Sequence, residues 1–280
     1  MLGLVGVLWI GAIGSRITQA LPAGFLVIMI ALWAYRRYKQ EGRTSRLIST
    51  MAALGLPLVV GIAILGWYNW ARFDSVFETG YSYALAGPDI QRYSHFLFSP
   101  LYIFQNLYVY LTNAPKLVHL FPYLIPTKGW LDSILPFIAI PKIYQTQYSL
   151  GLFYSSPLIV LAIIPVISLF RSHPRNSPPN KQFSFSWLIV SLSGSFLSAF
   201  LVLAAYFLAA ERFILDFSPC LVLLSIIGFW QLDEYLAQKP RIRTLFRALG
   251  ISLILISIMS SVLMTISIDS MRIMALNLAY

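Results

Sequence analysis

Residues 47–67 have the sequence LISTMAALGLPLVVGIAILGW, and residues 69–83 continue with NWARFDSVFETGYSY. The first stretch is apolar and long enough to cross a bilayer, which takes about 20 residues in a helix. The second sets Arg72, Asp74 and Glu78 among five aromatic side chains. Together they predict a membrane helix that ends in an aromatic, charged layer suited to a polar, lipid-linked or chain-like ligand.

The whole chain has the composition of an integral membrane protein. It is 58% hydrophobic and 11% charged, whereas soluble domains are about 45–50% apolar and about 25% charged. Its mean hydropathy is +0.74. The single cysteine, Cys220, excludes an internal disulfide framework and a cysteine-based metal cluster. Met1 is followed directly by apolar residues, without the basic start of a signal peptide, so we expect the chain to begin within a membrane helix.

The apolar runs predict an all-α integral membrane protein with about seven transmembrane helices and an outer loop with short interfacial helices. The membrane helices are expected at 1–14 (short or truncated), 21–35, 47–67, 152–170, 187–208, 213–230 and 248–268. Three parts follow: 1–68 with membrane helices and a basic cytoplasmic loop at 36–46, 69–150 as an extracytoplasmic aromatic and proline-rich loop, and 151–280 with four membrane helices.

An interfacial helix is expected within the outer loop at 99–112. Ser99 and Pro100 are typical of a helix start, because serine caps the first turn and proline fits its first position. Apolar residues then recur at helical spacing up to Leu111, and Pro115 ends the pattern. We expect this helix to lie flat on the membrane.

The basic residues are concentrated in three loops, 36–46, 171–181 and 233–247. These hold 12 of the 20 Lys and Arg and have a net charge of +9, while the rest of the chain has +1. Alternating spans place all three loops on one side, which the positive-inside rule makes the cytoplasm. The prediction is therefore a multi-pass membrane protein with 36–46, 171–186 and 233–247 cytoplasmic. Membrane lipids are expected partners, and the excess charge gives no reason to expect nucleic acid.

Two charged features are then expected at the outer face. Arg16 is either an arginine that extends to lipid headgroups or a cation that binds a phosphate or diphosphate. Glu211 and Arg212 are expected in a tight turn, with Asp216 about one turn inside the membrane, where ionisable groups usually face a cavity or a partner. Arg212 and Asp216 have i, i+4 spacing, so they form either a structural ion pair or a lipid-phosphate site in which Asp216 holds Arg212.

The third outer feature is the stretch 69–83. Asn69, Arg72, Glu78 and Tyr81 either belong to an ordinary amphipathic exit from the membrane or line an acceptor or donor groove. The three histidines lack metal-ligand spacing, and there is no phosphate-binding loop, nucleophile elbow, zinc motif or Asp-x-Asp pair. The sequence therefore predicts no cofactor and assigns no metal ligands, and it argues against a soluble-type nucleotide enzyme.

Three segments resemble motifs of bacterial GT-C glycosyltransferases of the protein-mannosyltransferase and lipid A aminoarabinose-transferase type (glycosyltransferase family 39-like). NWARFDSVFETGY at 69–81 resembles their Asn-x-x-Arg-Phe-Gly-Ser-x-x-Glu-x-Gly-Tyr segment. ERFILDFSP at 211–219 is similar to their Arg-Tyr-x-x-x-Phe-x-Pro segment at the start of a late helix, and GAIGSRI at 11–17 to their Gly-Leu-Ala-x-x-Ser-Arg-Pro element. The helix at 99–111 matches in place, so the resemblance covers nearly the whole chain.

The resemblance implies transfer of a sugar from a polyprenyl-phosphate carrier to an extracytoplasmic glycan, lipid or protein. The catalytic Asp of that family lies in its first outer loop and has no counterpart here, so no catalytic residue is carried over. The resemblance further implies that the chain begins after that loop and is inactive alone. The family has Gly where Asp74 stands, which argues against catalysis by Asp74.

The resemblance also assigns roles to the outer charged features. The lipid-phosphate or donor site would comprise Arg16, Glu211, Arg212 and Asp216. The acceptor cavity would be shaped by Asn69, Arg72, Glu78 and Tyr81.

Two other functions stay open at the level of sequence. A transporter or flippase of a lipid-linked or anionic substrate would carry similar outer-face arginines, although repeated halves and paired helix breaks, which are typical of transporters, are not apparent. A non-catalytic membrane scaffold would not depend on those arginines.

Overall fold

The computed structural model describes residues 1–80, 83, 94–129, 140–170 and 179–277. Within this part of the chain, five helices are long and apolar enough to cross a membrane: Ile17–Gln40, Thr44–Phe73, Phe183–Ala204, Glu211–Gln238 and Pro240–Met271. Two shorter apolar helices, Leu2–Ser15 and Pro157–Phe170, lie at the other positions where the sequence predicts spans. The prediction of an all-α, multi-pass membrane protein is confirmed.

The chain forms two compact units, Met1–Leu97 with Leu197–Ala199, and Phe98–Phe196 with Phe200–Tyr280. The first unit contains α1 (Leu2–Ser15), a 3-10 turn (Ile17–Gln19), α2 (Ala20–Gln40) and α3 (Thr44–Phe73). The basic residues predicted in a loop at 36–46 mostly continue the helices, since only 41–43 separate α2 from α3. The basic residues thus lie at the adjoining ends of α2 and α3.

Small residues allow α1 and α3 to approach closely. A Cβ atom added to Gly6 would lie 2.8 Å from the Leu54 carbonyl oxygen, and one added to Gly61 would overlap the side chain of Ile10. Lipid tails are as apolar as leucine, so close van der Waals packing between small residues is what holds membrane helices together. The glycines of this pair are thus required by packing.

The second unit begins with a helical segment that changes type along its length: a 3-10 turn (Pro100–Tyr102), α4 (Ile103–Leu107) and a π-helical turn (Tyr108–Thr112). The predicted start is confirmed, since Ser99 Oγ accepts a hydrogen bond from the Leu101 N–H at 3.3 Å and Pro100 is the first helical residue. The inner face is fully buried, through Tyr102, Gln105, Asn106, Val109 and Tyr110. The predicted contact of the outer face with the membrane surface stays a prediction.

The remaining elements of the second unit are α5 (Leu152–Ser155), a 3-10 segment (Pro157–Ala162), α6 (Ile163–Phe170), α7 (Pro179–Ala204), α8 (Glu211–Tyr235), a 3-10 turn (Leu236–Gln238) and α9 (Pro240–Asn277). The continuous helix predicted at 152–170 is therefore wrong, because the chain breaks at Ser156 before Pro157. Two short strand pairs complete the unit: β1 (Lys116–Leu117) lies antiparallel to β2 (Leu124–Ile125), and β3 (Gln145–Thr146) lies parallel to β4 (Leu208–Ala209).

The core of the second unit is formed by α7 and α8. In the most apolar part of each helix, 39% of the residues are buried in α7 and 33% in α8, whereas 11% are buried in α9. Phe217 of α8 packs edge-on against Phe200 and Phe196 of α7, with ring centroids 5.0 and 6.0 Å away, and against Tyr110 at 5.7 Å. These contacts bring the π-helical turn against the first turns of α8.

A charged contact joins α8 to α9. Asp233 accepts hydrogen bonds from Arg243 at 2.7 and 3.1 Å and from Arg247 at 2.6 and 2.8 Å. The loop predicted at 233–247 is reduced to the 3-10 turn Leu236–Gln238 and Lys239, so both arginines lie on the first turns of α9.

Candidate functional site

The N-terminal turns of α8 carry three of the predicted site residues. Ala210 is the N-cap; it has extended backbone angles, and its own side chain makes no capping hydrogen bond. Glu211 and Arg212 are the first two helical residues, so their predicted placement in a tight turn is wrong. Arg212 is exposed, with its guanidinium 5.3 Å from the centroid of the Phe213 ring. Glu211, in the first turn, complements the positive end of the helix dipole.

Asp216 lies one turn deeper and is only 9% exposed. Its predicted depth, about one turn inside the membrane, stays a prediction. Its neighbour Phe217 is fully buried, and the phenol of Tyr110 is close enough for Asp216 to influence it electrostatically. A carboxylate at this depth is costly to desolvate, which makes the surrounding cluster a candidate site.

Asn106 connects α4 to the chain that enters α8. Its Nδ2 donates to the carbonyl oxygens of Ala204 and Tyr206, both at 2.8 Å, and approaches that of Leu203 at 3.2 Å. Its Oδ1 accepts a hydrogen bond from the hydroxyl of Tyr144 at 2.7 Å. The last carbonyls of α7 have no partners within their own helix, so the amide of Asn106 satisfies them and fixes the non-helical stretch at 205–210.

Two phenols lie within this cluster. Burial raises the pKa of Tyr144 and of Tyr110 well above the ordinary value for tyrosine, so both are neutral over the physiological range. The backbone N–H of Ala210 lies beside the Tyr110 oxygen and opposes this shift in pKa. The geometry nevertheless falls short of a hydrogen bond, and the Tyr110 hydroxyl has no hydrogen-bond partner in the described part of the chain.

An apolar cavity of about 450 Å³ lies further along α8, between α8, α9 and the 3-10 segment 157–162. Its α8 wall runs from Val222 to Trp230, and Ser156, Ser225 and Ser257 contribute one hydroxyl each. Ser225 and Ser257 donate to carbonyl oxygens of their own helices, which leaves the cavity surface apolar. Val222 follows Arg212 by ten residues, which is about 15 Å along a helix.

The stretch that follows α3 in the first unit folds back on the end of that helix. Asn69 Nδ2 donates to the Val76 carbonyl at 3.2 Å. Arg72 donates to the Tyr68 hydroxyl at 2.8 Å and lies over the Phe73 ring. These two predicted cavity residues therefore take part in local contacts. Glu78 is half-buried in the same loop, and Tyr81 lies outside the described residues.

Asp74 ends α3 in the left-handed conformation, with φ of 54°. Its N–H donates to the Trp70 carbonyl. Glycine is the residue most often found at this position of a helix end, because it lacks a Cβ atom. Asp74 thus has a capping position.

Arg16 is half-buried and follows the last residue of α1. Its backbone N–H donates to the Ala12 carbonyl, and its own carbonyl accepts from the Gln19 N–H. Arg16 therefore links α1 to the 3-10 turn that precedes α2. Arg16, Asn69, Arg72 and Glu78 belong to the first unit, whereas Glu211, Arg212 and Asp216 share α8 in the second.

The polar residues around Asp216 were missed from sequence. Gln105 donates to the Gly129 carbonyl at 2.5 Å, and Asn106 and Tyr144 lie 38 residues apart along the chain. The available signal was the adjacent amide pair Gln105-Asn106 within an otherwise apolar and aromatic helix. Among the described residues, no group of three or more His, Cys, Asp or Glu is arranged to hold a metal ion.

Comparison of the chain with protein-family models, with curated proteins and with solved structures finds no match.

Proposed function

We propose that the protein binds a polyprenyl-phosphate sugar and functions as a membrane glycosyltransferase, passing the sugar to an extracytoplasmic acceptor. The main support is the arrangement along α8. An exposed arginine stands at its N-terminal turn, and an apolar cavity of about 450 Å³ opens further along the same helix. A ligand with a phosphate head and an apolar tail matches that order of charge and apolar surface.

Arg212 is the proposed phosphate ligand. Its guanidinium suits two oxygen atoms of a phosphate at once, and it keeps its charge at every relevant pH. Asp216 follows on the same helix face and would orient it. In the reaction, an acceptor hydroxyl attacks the anomeric carbon while the bond to the lipid phosphate breaks. A fixed cation stabilises the negative charge that develops on the leaving phosphate.

Binding of farnesyl phosphate to the purified protein in detergent tests this proposal without requiring turnover. Arg212→Ala should weaken binding by about 10- to 100-fold, because a hydrogen bond to a charged group contributes about 1.5–3 kcal/mol. Arg212→Lys should retain part of the affinity. Arg241→Ala is the matched control, since Arg241 is an exposed arginine at the start of α9.

Farnesol, which has the apolar chain but no phosphate, separates the contribution of the cavity from that of Arg212. Ser257→Trp, which fills the cavity, should weaken farnesol and farnesyl phosphate alike, whereas Arg212→Ala should leave farnesol unchanged. Equal farnesyl phosphate affinity in the wild type, Arg212→Ala and Ser257→Trp would remove the basis of the proposal.

The orientation is part of the same proposal. We place the protein in a bacterial inner membrane with 36–46, 171–186 and 233–247 in the cytoplasm, because these segments contain most of the positive charge. In a Cys220→Ser background, a cysteine at Glu41 should be protected from a membrane-impermeant maleimide in intact cells. A cysteine at Thr79 should be labelled. The reverse pattern would invert the topology.

A transporter or flippase of a lipid-linked or anionic substrate is the second candidate. It is favoured by Asp216, a buried carboxylate within a helix long enough to span the membrane. Reconstituted vesicles should then translocate a fluorescent farnesyl phosphate, and Asp216→Asn should stop translocation without weakening binding. Binding without translocation favours the transferase.

A further inference from the structure

A second polar site lies beside the N-terminus of α8. Two buried hydroxyls, those of Tyr110 and Thr146, have no hydrogen-bond partner in the described part of the chain. Tyr110 is fully buried and Thr146 is 8% exposed. Leaving a buried hydroxyl unpaired costs about 1–3 kcal/mol, so two in one region indicate a missing partner.

The strand register brings these two hydroxyls to the same region. Thr146 of β3 is paired with Ala209 of β4, and the Tyr110 phenol lies beside the backbone of Ala210, the next residue. Tyr144 and Thr146 are both buried, whereas Gln145 between them is exposed, so Thr146 lies on the same buried side of the chain as Tyr144. The phenol of Tyr144 in turn is electrostatically close to that of Tyr110.

The charges around this region restrict what can bind. On the buried side of α8, away from the exposed Arg212, the carboxylate of Asp216 disfavours an anion. The positive end of the α8 dipole disfavours a cation. A neutral oxygen that both donates and accepts hydrogen bonds satisfies every group present.

We propose that Tyr110, Thr146 and Asp216 form a binding site for one hydroxyl oxygen, supplied either by water or by a sugar hydroxyl. That oxygen accepts a hydrogen bond from Tyr110 and donates one to Asp216, and Thr146 supplies a further hydrogen bond. The water form is independent of the glycosyltransferase proposal, whereas the sugar form rests on it.

The isosteric variants Tyr110→Phe and Thr146→Val test the site. The assay is the unfolding temperature in a zwitterionic detergent that carries no sugar. If an oxygen bridges the two hydroxyls, each variant lowers the unfolding temperature, and the double variant loses less than the sum of the singles, because either change already breaks the bridge. If the hydroxyls are truly unpaired, each variant raises the temperature or leaves it unchanged. That result, or strict additivity, overturns the proposal.

Ser191→Ala is the control for a buried hydroxyl outside this region, since the Ser191 hydroxyl also lacks a partner in the described residues. The changes in unfolding temperature caused by Ser191→Ala and by Tyr110→Phe should add in the double variant, without coupling. Coupling of the same size would mean that the Tyr110–Thr146 result is not specific to one site, and would also overturn the proposal.

D-Mannose, with L-mannose as the osmolyte control, distinguishes the two sources of the oxygen. A saturable rise in unfolding temperature with D-mannose alone, abolished in the double variant, identifies a sugar hydroxyl. If the losses of unfolding temperature in the variants are coupled and both enantiomers of mannose have equal effects on the unfolding temperature, the oxygen comes from water. Either outcome supports the site. Because neither outcome depends on binding of farnesyl phosphate, failure of the glycosyltransferase proposal can be told apart from failure of this one.

Discussion

Replacement of Asn106 by leucine should destabilise the second unit strongly. Asn106 is fully buried, and its side-chain amide donates hydrogen bonds to the carbonyls of Ala204 and Tyr206 at the end of α7. Leucine has nearly the same volume, so packing changes little and the effect reports hydrogen bonding. The change removes the hydrogen bonds that Asn106 makes to the carbonyls of Ala204 and Tyr206 and to the hydroxyl of Tyr144.

The magnitude follows from the number of hydrogen bonds. An amide nitrogen has two hydrogens, so Asn106 makes at most two good donor bonds at once, and its oxygen accepts a third. Each net bond contributes about 1 kcal/mol, and each buried group left unpaired costs about 1–3 kcal/mol. Asn106→Leu should therefore cost about 3–5 kcal/mol.

Equilibrium unfolding in mixed micelles measures this change in free energy. Tyr144→Phe is the matched control, because it removes one bond of the three and should cost about 1 kcal/mol. Asn106→Asp sets a buried carboxyl group against the carbonyl oxygens of Ala204 and Tyr206, so it should cost at least as much as Asn106→Leu. A loss for Asn106→Leu no larger than that for Tyr144→Phe would refute the assignment of Asn106 as the link between α4, α7 and α8.

Four further changes have defined outcomes. Asp74→Gly should raise the free energy of unfolding by about 0.5–1 kcal/mol, because glycine adopts the left-handed conformation at lower cost; chemical denaturation measures it, and a loss would refute the capping assignment. Gly61→Ala should cost about 1–3 kcal/mol by overpacking, and Ile10→Ala should restore part of that loss if the two residues meet as described. Asp233→Asn should lower the unfolding temperature at low salt and less so at high salt; an effect independent of salt would contradict an ionic link. Because burial raises the pKa of Tyr144, its contribution to stability is complete below about pH 10, the unfolded value, and is lost as the pH rises further, so Tyr144→Phe should flatten the alkaline fall in unfolding temperature.

Membrane helices were predictable because hydropathy is a local property of each segment. The five long spans lie where the apolar runs predicted them. Their ends were less predictable, because contacts distant in sequence determine them. The run predicted at 187–208 ends as a helix at Ala204, where Asn106 binds the last carbonyls.

The candidate site was predictable only in part. Arg212 and Asp216 stood out because charges are rare in apolar helices. The cluster around them did not, since Tyr110, Tyr144 and Thr146 come from separate segments joined through strand pairing and long-range hydrogen bonds.

The backbone angle at Asp74 bears on one position at which this chain differs from the motif that it resembles. The GT-C motif that this stretch resembles has Gly at the same position, and here that position has φ of 54°. The sequence pattern argued only that Asp74 is not catalytic. The backbone angle explains why a glycine would fit.

Photo-crosslinking with farnesyl phosphate carrying a diazirine at the end of its tail tests the central proposal most directly. The proposal predicts that mass spectrometry recovers labels on α8 between Val222 and Trp230 and on α9 between Ile254 and Ile258, the walls of the cavity. Excess unlabelled farnesyl phosphate and Arg212→Ala should both reduce these labels sharply. Labels spread over the lipid-facing surfaces of α2, α3 and α9, and unchanged by Arg212→Ala, would contradict it.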